Sequence, residues 1–102
     1  IVFHLERKIP QVNCFQCIDK IANKIELNER TIRHARDLMK KVLEQEFSAG
    51  KDPMGFAGAV LYVSLQMEGK TIRQIDIAEA AGVTEVTIRN RAKELKSKLN
   101  LI

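Results

Sequence analysis

The sequence predicts an all-α domain of five helices, with the third at the centre and the last two forming a helix-turn-helix. Three observations carry this. Met54–Met67, M-G-F-A-G-A-V-L-Y-V-S-L-Q-M, is apolar nearly all round, and a helix without a polar face is a buried hub. Elsewhere apolar residues recur at helical spacing, and no stretch calls for a strand. Thr71–Leu99 reads as a helix, a sharp glycine turn at Gly82 and a second helix starting at Glu85.

Composition bounds the function. At 102 residues the chain is long enough for one domain with a modest core. The net charge of +4 and sequence pI of about 9.3 fit a nucleic-acid partner without establishing one. Aromatics are only 5%, with no Trp and one Tyr, which argues against the stacking platforms that bind single strands or splayed bases. No signal peptide, membrane span or lipidation motif is read, and no membrane partner is expected. No nucleophile–base pair or metal cluster emerges, so neither enzyme activity nor a cofactor is expected. The chain opens on Ile1 rather than Met, as a piece of a longer protein would.

Residues 1–11 read as a linker or as the tail of a preceding unit, bounded by Pro10. His4 has no second ligand nearby. Val12–Ile25 is the first helix, with Val12, Phe15, Ile18, Ala22 and Ile25 at helical spacing. Cys14 and Cys17 form C-x-x-C inside it. A zinc ribbon needs a second pair and a redox pair wants a βαβ setting, so two ordinary helical thiols are expected, in a reducing compartment. Asn28 suits the N-cap of a second helix at Glu29–Glu46. Ile32, Ala35, Met39, Val42, Leu43 and Phe47 form its inward stripe. Arg30, Arg33, His34, Arg36, Lys40 and Lys41 form a solvated face, and no carboxylate accompanies His34 to make it a ligand or base.

In S-A-G-K-D-P, Gly50 ends a loop, Asp52 caps and Pro53 takes the first helical position. Gly-Lys here lacks the rest of a phosphate-loop motif, although a lysine beside a helix N-terminus can hold a nucleic-acid phosphate. In the apolar hub that follows, Gly55 and Gly58 remove side chains one turn apart and permit close helix contacts. Phe56, Val60, Val63 and Met67 are expected to touch the surrounding helices. The run is too short for about 20 membrane-spanning residues, and Ser64 and Gln66 interrupt it.

In the terminal pair, Ile75, Ile77, Ala78 and Ala81 supply the apolar side of the first helix. Gly82 suits a left-handed helix end, Thr84 can cap the second helix, and Glu85 suits its dipole. The last helix has two faces. Ile88, Ala92, Leu95 and Leu99 fall in one apolar sector. Val86, Arg89, Asn90, Lys93 and Ser97 point roughly the other way, with Lys96 beside them. That arrangement suits a helix laid in the DNA major groove, and it also suits a helical hairpin with a solvated basic face.

The combination of G-K-D-P, the apolar G-F-A-G-A-V-L-Y-V-S helix and A-G-V-T-E-V-T-I-R-N-R-A-K-E-L resembles the C-terminal cyclin-like repeat of the archaeal transcription factor B family, relatives of eukaryotic transcription factor IIB. The resemblance covers Val12 to Leu101 and implies a cyclin-like repeat over residues 12–102, with its helix-turn-helix at residues 71–99. It implies a role in transcription initiation, with double-stranded promoter DNA and TATA-binding protein as partners, and RNA polymerase recruited through the full-length protein. The last helix would then read the B-recognition element upstream of the TATA box. By position, Val86 and Arg89 match residues that meet base edges. Thr84, Thr87 and Lys93 match positions near the DNA backbone, as do Lys51 and Asp52 before the hub. Asn90 and Lys96 share the exposed face and join the backbone-proximal set. A monomer in the archaeal cytoplasm, at the nucleoid, is the implied setting.

Two departures stand out. Arg73 replaces the usual threonine that caps the fourth helix, leaving Thr71 as the candidate cap. Ala92 replaces a frequent tyrosine, which thins the contact around the last helix. The family's zinc ribbon, polymerase-reaching segment and first repeat are not in this sequence. A helix-turn-helix regulator acting without TATA-binding protein, and a cyclin-box protein-interaction module, are the alternatives.

Overall fold

The structure, a computed structural model, describes residues 15–44 and 52–99. Those residues form five helices and no strand: α1 over 15–24, α2 at Glu29–Glu44, α3 at Pro53–Met67, α4 at Gln74–Ala81 and α5 at Glu85–Lys98. Residues 45–46, expected as the end of α2, lie outside the described residues, as do Val12, Cys14, Phe47 and Lys51.

The helix boundaries are set by short-range chemistry. Asn28 caps α2 by accepting the Thr31 N–H at 2.9 Å. Asp52 caps α3 by accepting the Gly55 N–H at 3.3 Å, with Pro53 in the first turn, where its missing N–H costs nothing. Thr84 caps α5 through Thr87 N–H at 3.2 Å. Helix α4 ends at Gly82, whose φ of 71° lies in the left-handed region. The Val83 N–H then reaches back to the Ala78 carbonyl at 3.0 Å and satisfies an end carbonyl of α4. Helix α1 closes by the same pattern, Leu27 N–H to Ala22 carbonyl at 3.0 Å, with Glu26 rather than glycine in the left-handed position at φ 54°.

Helix α3 is the hub. Residues Gly55 to Leu61 and Val63 to Leu65 are all buried, and the helix packs on α2, α4 and α5. Helix α1 adds Ile18, Ile21 and Ala22 to the core, and α2 adds Ala35, Leu38, Met39 and Val42. Helix α4 adds Ile77, Ala78, Ala80 and Ala81, and α5 adds Ile88, Ala92 and Leu95. Two glycines let α3 approach its neighbours closely. A Cβ on Gly58 would stand 2.7 Å from Ile88 Cδ1, and one on Gly55 would stand 2.9 Å from Thr87 Cγ2. The lost side chains are thus the space into which α5 fits.

Four expectations are corrected. Met67 is 50% exposed rather than packed, because it lies in the last turn of α3, beside an exposed Gln66. Thr71 does not cap α4. The N-cap is Arg73, with no side-chain cap hydrogen bond, and its guanidinium instead forks onto Asp76 at 3.0 and 3.1 Å. The stripe of α2 is rotated slightly: Thr31 and Leu38 are buried, while Ile32 and Leu43 are only half-buried. His34 does have a carboxylate partner. Its Nδ1 lies 3.0 Å from Glu68 Oε2, at the end of α3 and 34 residues away in sequence.

Candidate nucleic-acid interface

Helix α5 is about 21 Å long, at 1.5 Å per residue, and its two faces have opposite fates. Ile88 and Leu95 are fully buried and Ala92 almost so, against α3 and α4. Removing three apolar side chains of this size from water contributes about 1 to 3 kcal/mol for each of the larger two, which fixes the rotation of the helix. The rotation leaves Val86, Arg89, Asn90, Lys93 and Ser97 exposed and Lys96 partly so.

Val86 is 50% exposed, one of two large apolar side chains in that state among the described residues. Among the described residues, the side chains of Arg89, Asn90, Lys93 and Lys96 have no hydrogen-bond or ion-pair partner. The charge that could compete with them is diverted. Glu94 accepts from Arg91 at 2.6 Å on the flank of the helix, and Glu85 sits in the first turn, where the dipole favours it. Arg89, Lys93 and Lys96 therefore carry positive charge without a partner among the described residues, and Glu94, on the other side of the outward direction, is paired with Arg91.

At the start of α5, Thr84 and Thr87 are held by each other, Oγ1 to Oγ1 at 2.9 Å, as well as by the cap. Thr87 also abuts Gly55, in the first turn of α3. The N-terminal ends of α3 and α5 thus lie close together, each with the positive end of its dipole there, although the Gly55 and Thr87 N–H groups are already taken by their caps. Asp52 belongs to this corner, but its carboxylate faces Gly55 N–H. What it visibly does is orient the first turn of α3. Lys51 precedes it, outside the described residues.

Thr31, His34, Glu68 and Lys70 form a second polar group, which the sequence reading missed. Thr31, fully buried, donates to Glu68 Oε1 at 2.9 Å, and Lys70 Nζ donates to Thr31 Oγ1 at 3.0 Å and lies 3.3 Å from Glu68 Oε1. Burial pushes the Glu68 carboxyl up, but the hydrogen bonds from His34, Thr31 and Lys70 outweigh this and hold it below the usual carboxylate range. The group ties the start of α2 to the end of α3, with both Glu68 carboxylate oxygens engaged inside it.

Among the described residues, no group of three or more His, Cys, Asp or Glu could hold a metal ion, and no helix is long and apolar enough to cross a membrane. Burial pushes the Cys17 thiol up, Lys20 partly offsets this and Asp52 adds to it. That is the reverse of the lowered thiol of a redox or nucleophilic cysteine.

Residues 7–98 match the family model described as "Transcription factor TFIIB repeat". The chain is similar to three archaeal proteins in particular. It is 39% identical over 100 residues to "Transcription initiation factor IIB" of Ignicoccus hospitalis, covering 98% of this chain and 32% of that protein. It is 41% identical over 97 residues to the protein of the same name from Pyrobaculum aerophilum, covering 95% of this chain and 29% of that one. It is 42% identical over 84 residues to "Transcription initiation factor IIB 1" of Thermococcus kodakarensis, covering 82% and 28%. The chain therefore spans about a third of the length of these relatives.

Proposed function

Because this chain belongs to the transcription factor TFIIB repeat family, one of initiation factors rather than enzymes, we propose that it is the promoter-reading repeat of a transcription initiation factor. In this reading, residues 1–11 are a linker or the tail of a preceding repeat and residues 12–102 are the working unit. It binds double-stranded DNA upstream of a TATA box, next to bound TATA-binding protein, as a monomer at the nucleoid. RNA polymerase is recruited through the longer protein.

The observation that carries the proposal is the outward row of α5, whose basic side chains are exposed and free of partners while its opposite face is locked into the core. A helix presented this way fits the major groove. Val86 can pack on a thymine methyl and Arg89 can pair with a guanine edge. Lys93 and Lys96 suit phosphates, being point charges on flexible stems. Thr84 and Thr87, at the paired helix N-termini, lie where a phosphate would meet first-turn N–H groups, and Asp52 and Lys51 flank that corner.

The test is DNase footprinting of a TATA-containing duplex with archaeal TATA-binding protein, with and without this chain. The expected result is protection extended upstream of the TATA box that depends on this chain. Equal upstream binding without TATA-binding protein would favour a free-standing helix-turn-helix regulator. No protection under either condition would remove the DNA reading.

A further inference from the structure

Arg89 is the residue of α5 with the most obvious power to read a base, yet it is not the most central residue on the outward face. At about 100° per residue, Arg89 lies about 85° from the direction opposite the buried stripe of Ile88, Ala92 and Leu95. On the same count Lys93 lies about 45° away, Val86 about 25° and Asn90 about 15°. The face thus divides into two rows. A central row, Val86, Asn90 and Ser97, is uncharged. A basic flank on one side carries Arg89, Lys93 and Lys96.

We propose that Asn90 is a second polar base-reading residue of α5 and specifies an adenine, in addition to the contacts at Val86 and Arg89. This rests on the major-groove reading given above and deepens it. Asn90 is exposed, and among the described residues its side-chain amide has no hydrogen-bond partner. It stands one turn after Val86 and next to Arg89, in the first half of the helix. Its donor and acceptor sit on one short, planar group, which matches the N6 and N7 edge of adenine. A short neutral side chain at the centre of the face reaches bases and not the phosphates, which lie at the groove walls where the charged flank points. Asn is also a poorer helix former than Ala, and here it makes no local bond that offsets the loss. Such a local cost without a local return is expected at a functional position.

The experiment measures binding of the chain to duplexes carrying a TATA box, with archaeal TATA-binding protein bound. Each upstream base pair is varied in turn, and the wild type is compared with Asn90→Ala and Asn90→Gln at several salt concentrations. The expected result is that wild type prefers A·T at one position by about tenfold or more and that Asn90→Ala loses this preference at that position alone. Asn90→Gln keeps an adenine preference, because its amide offers the same pair of groups. Thermal melting of Asn90→Ala should be unchanged or slightly raised, so loss of folding does not enter. If Asn90→Ala keeps every base preference, the inference fails while the DNA reading stands. If it weakens all duplexes equally, Asn90 is a backbone contact and the inference again fails. A wild-type chain with no sequence preference at any position overturns both the inference and the groove reading beneath it.

Discussion

Helices α2 and α5 are both amphipathic, both basic and both laid against α3, yet their outward faces differ in kind. On α2 the exposed Arg30, Arg33, Lys40 and Lys41 are interleaved with Asp37 and Glu44. Its other two basic side chains are engaged within the fold. Arg36 grips Asp19 at 2.7 and 2.8 Å and lies over the Phe15 ring at 5.2 Å, and His34 meets Glu68. On α5 one acid, Glu85, is in the first turn and the other, Glu94, is paired with Arg91 on the side away from Arg89 and Lys93. The number of basic residues does not separate the two helices. What separates them is whether acidic side chains stand among the exposed cations, as on α2, or to one side of them, as on α5.

The largest effect expected is loss of the hub that both helices share. Val60 is fully buried in α3, and Val60→Asp places an unpaired charge there. Destabilisation of at least about 4 kcal/mol is expected, enough to unfold a domain of this size. Circular dichroism melting checks it, and an unchanged midpoint would remove Val60 from the core.

The next pair of changes breaks the comparison directly. Arg89→Ala should cost about 1–3 kcal/mol on the best upstream sequence and flatten the preference among sequences. Arg33→Ala, on the interleaved face of α2, should leave both quantities unchanged. A duplex panel read with TATA-binding protein bound would show it, and an Arg33 effect as large as that of Arg89 would erase the distinction drawn here. A smaller effect is expected within α5 itself. Lys93→Ala should weaken all sequences about equally and lower the slope of log affinity against log salt by about one unit. A change in base preference instead would make Lys93 a reader rather than a phosphate contact.

The contrast between these helices was only partly legible in the sequence, and the reason is distance along the chain. The caps at Asn28, Asp52 and Thr84, the Gly82 turn and the two faces of α5 all depend on residues within a turn or two of one another. Periodicity and side-chain chemistry were enough to find them. Glu68 meets Thr31 and His34 across 37 and 34 residues, and Asp19 meets Arg36 across 17. No local rule links such positions, so the sequence alone leaves His34 on a solvated face. The tight seat of Thr87 against Gly55 is of the same kind. Gly55 and Gly58 announced a close approach but not its partner. Helical spacing puts Met67 among the packed residues because the spacing continues to the end of an element, whereas burial stops where the neighbouring helices do. Thr71 was misplaced as a cap because α4 begins two residues later than a cap there would require, and Arg73 with Asp76 occupies the start.

The smallest effect expected concerns the polar groups that α2 keeps for the fold, and it is a pH dependence. Glu68 is held by Thr31, His34 and Lys70, and its folded carboxyl lies below the usual carboxylate range. A carboxyl whose pKa is lower folded than unfolded contributes stability that is complete above the unfolded value, about 4.3, and is lost as pH falls through the folded value. Wild type should therefore lose part of its stability below about pH 4.3 for this reason. Glu68→Gln keeps the shape but not the charge, so it should be less stable than wild type at pH 7. The gap should narrow as the pH falls toward 3, when the wild-type carboxyl becomes neutral as well. Urea melts across that range measure it, and a gap that stays constant would place the Glu68 contribution in packing rather than charge. The same variant should bind every promoter duplex like wild type at pH 7, since this tie holds α2 to α3 and leaves the outward row of α5 untouched.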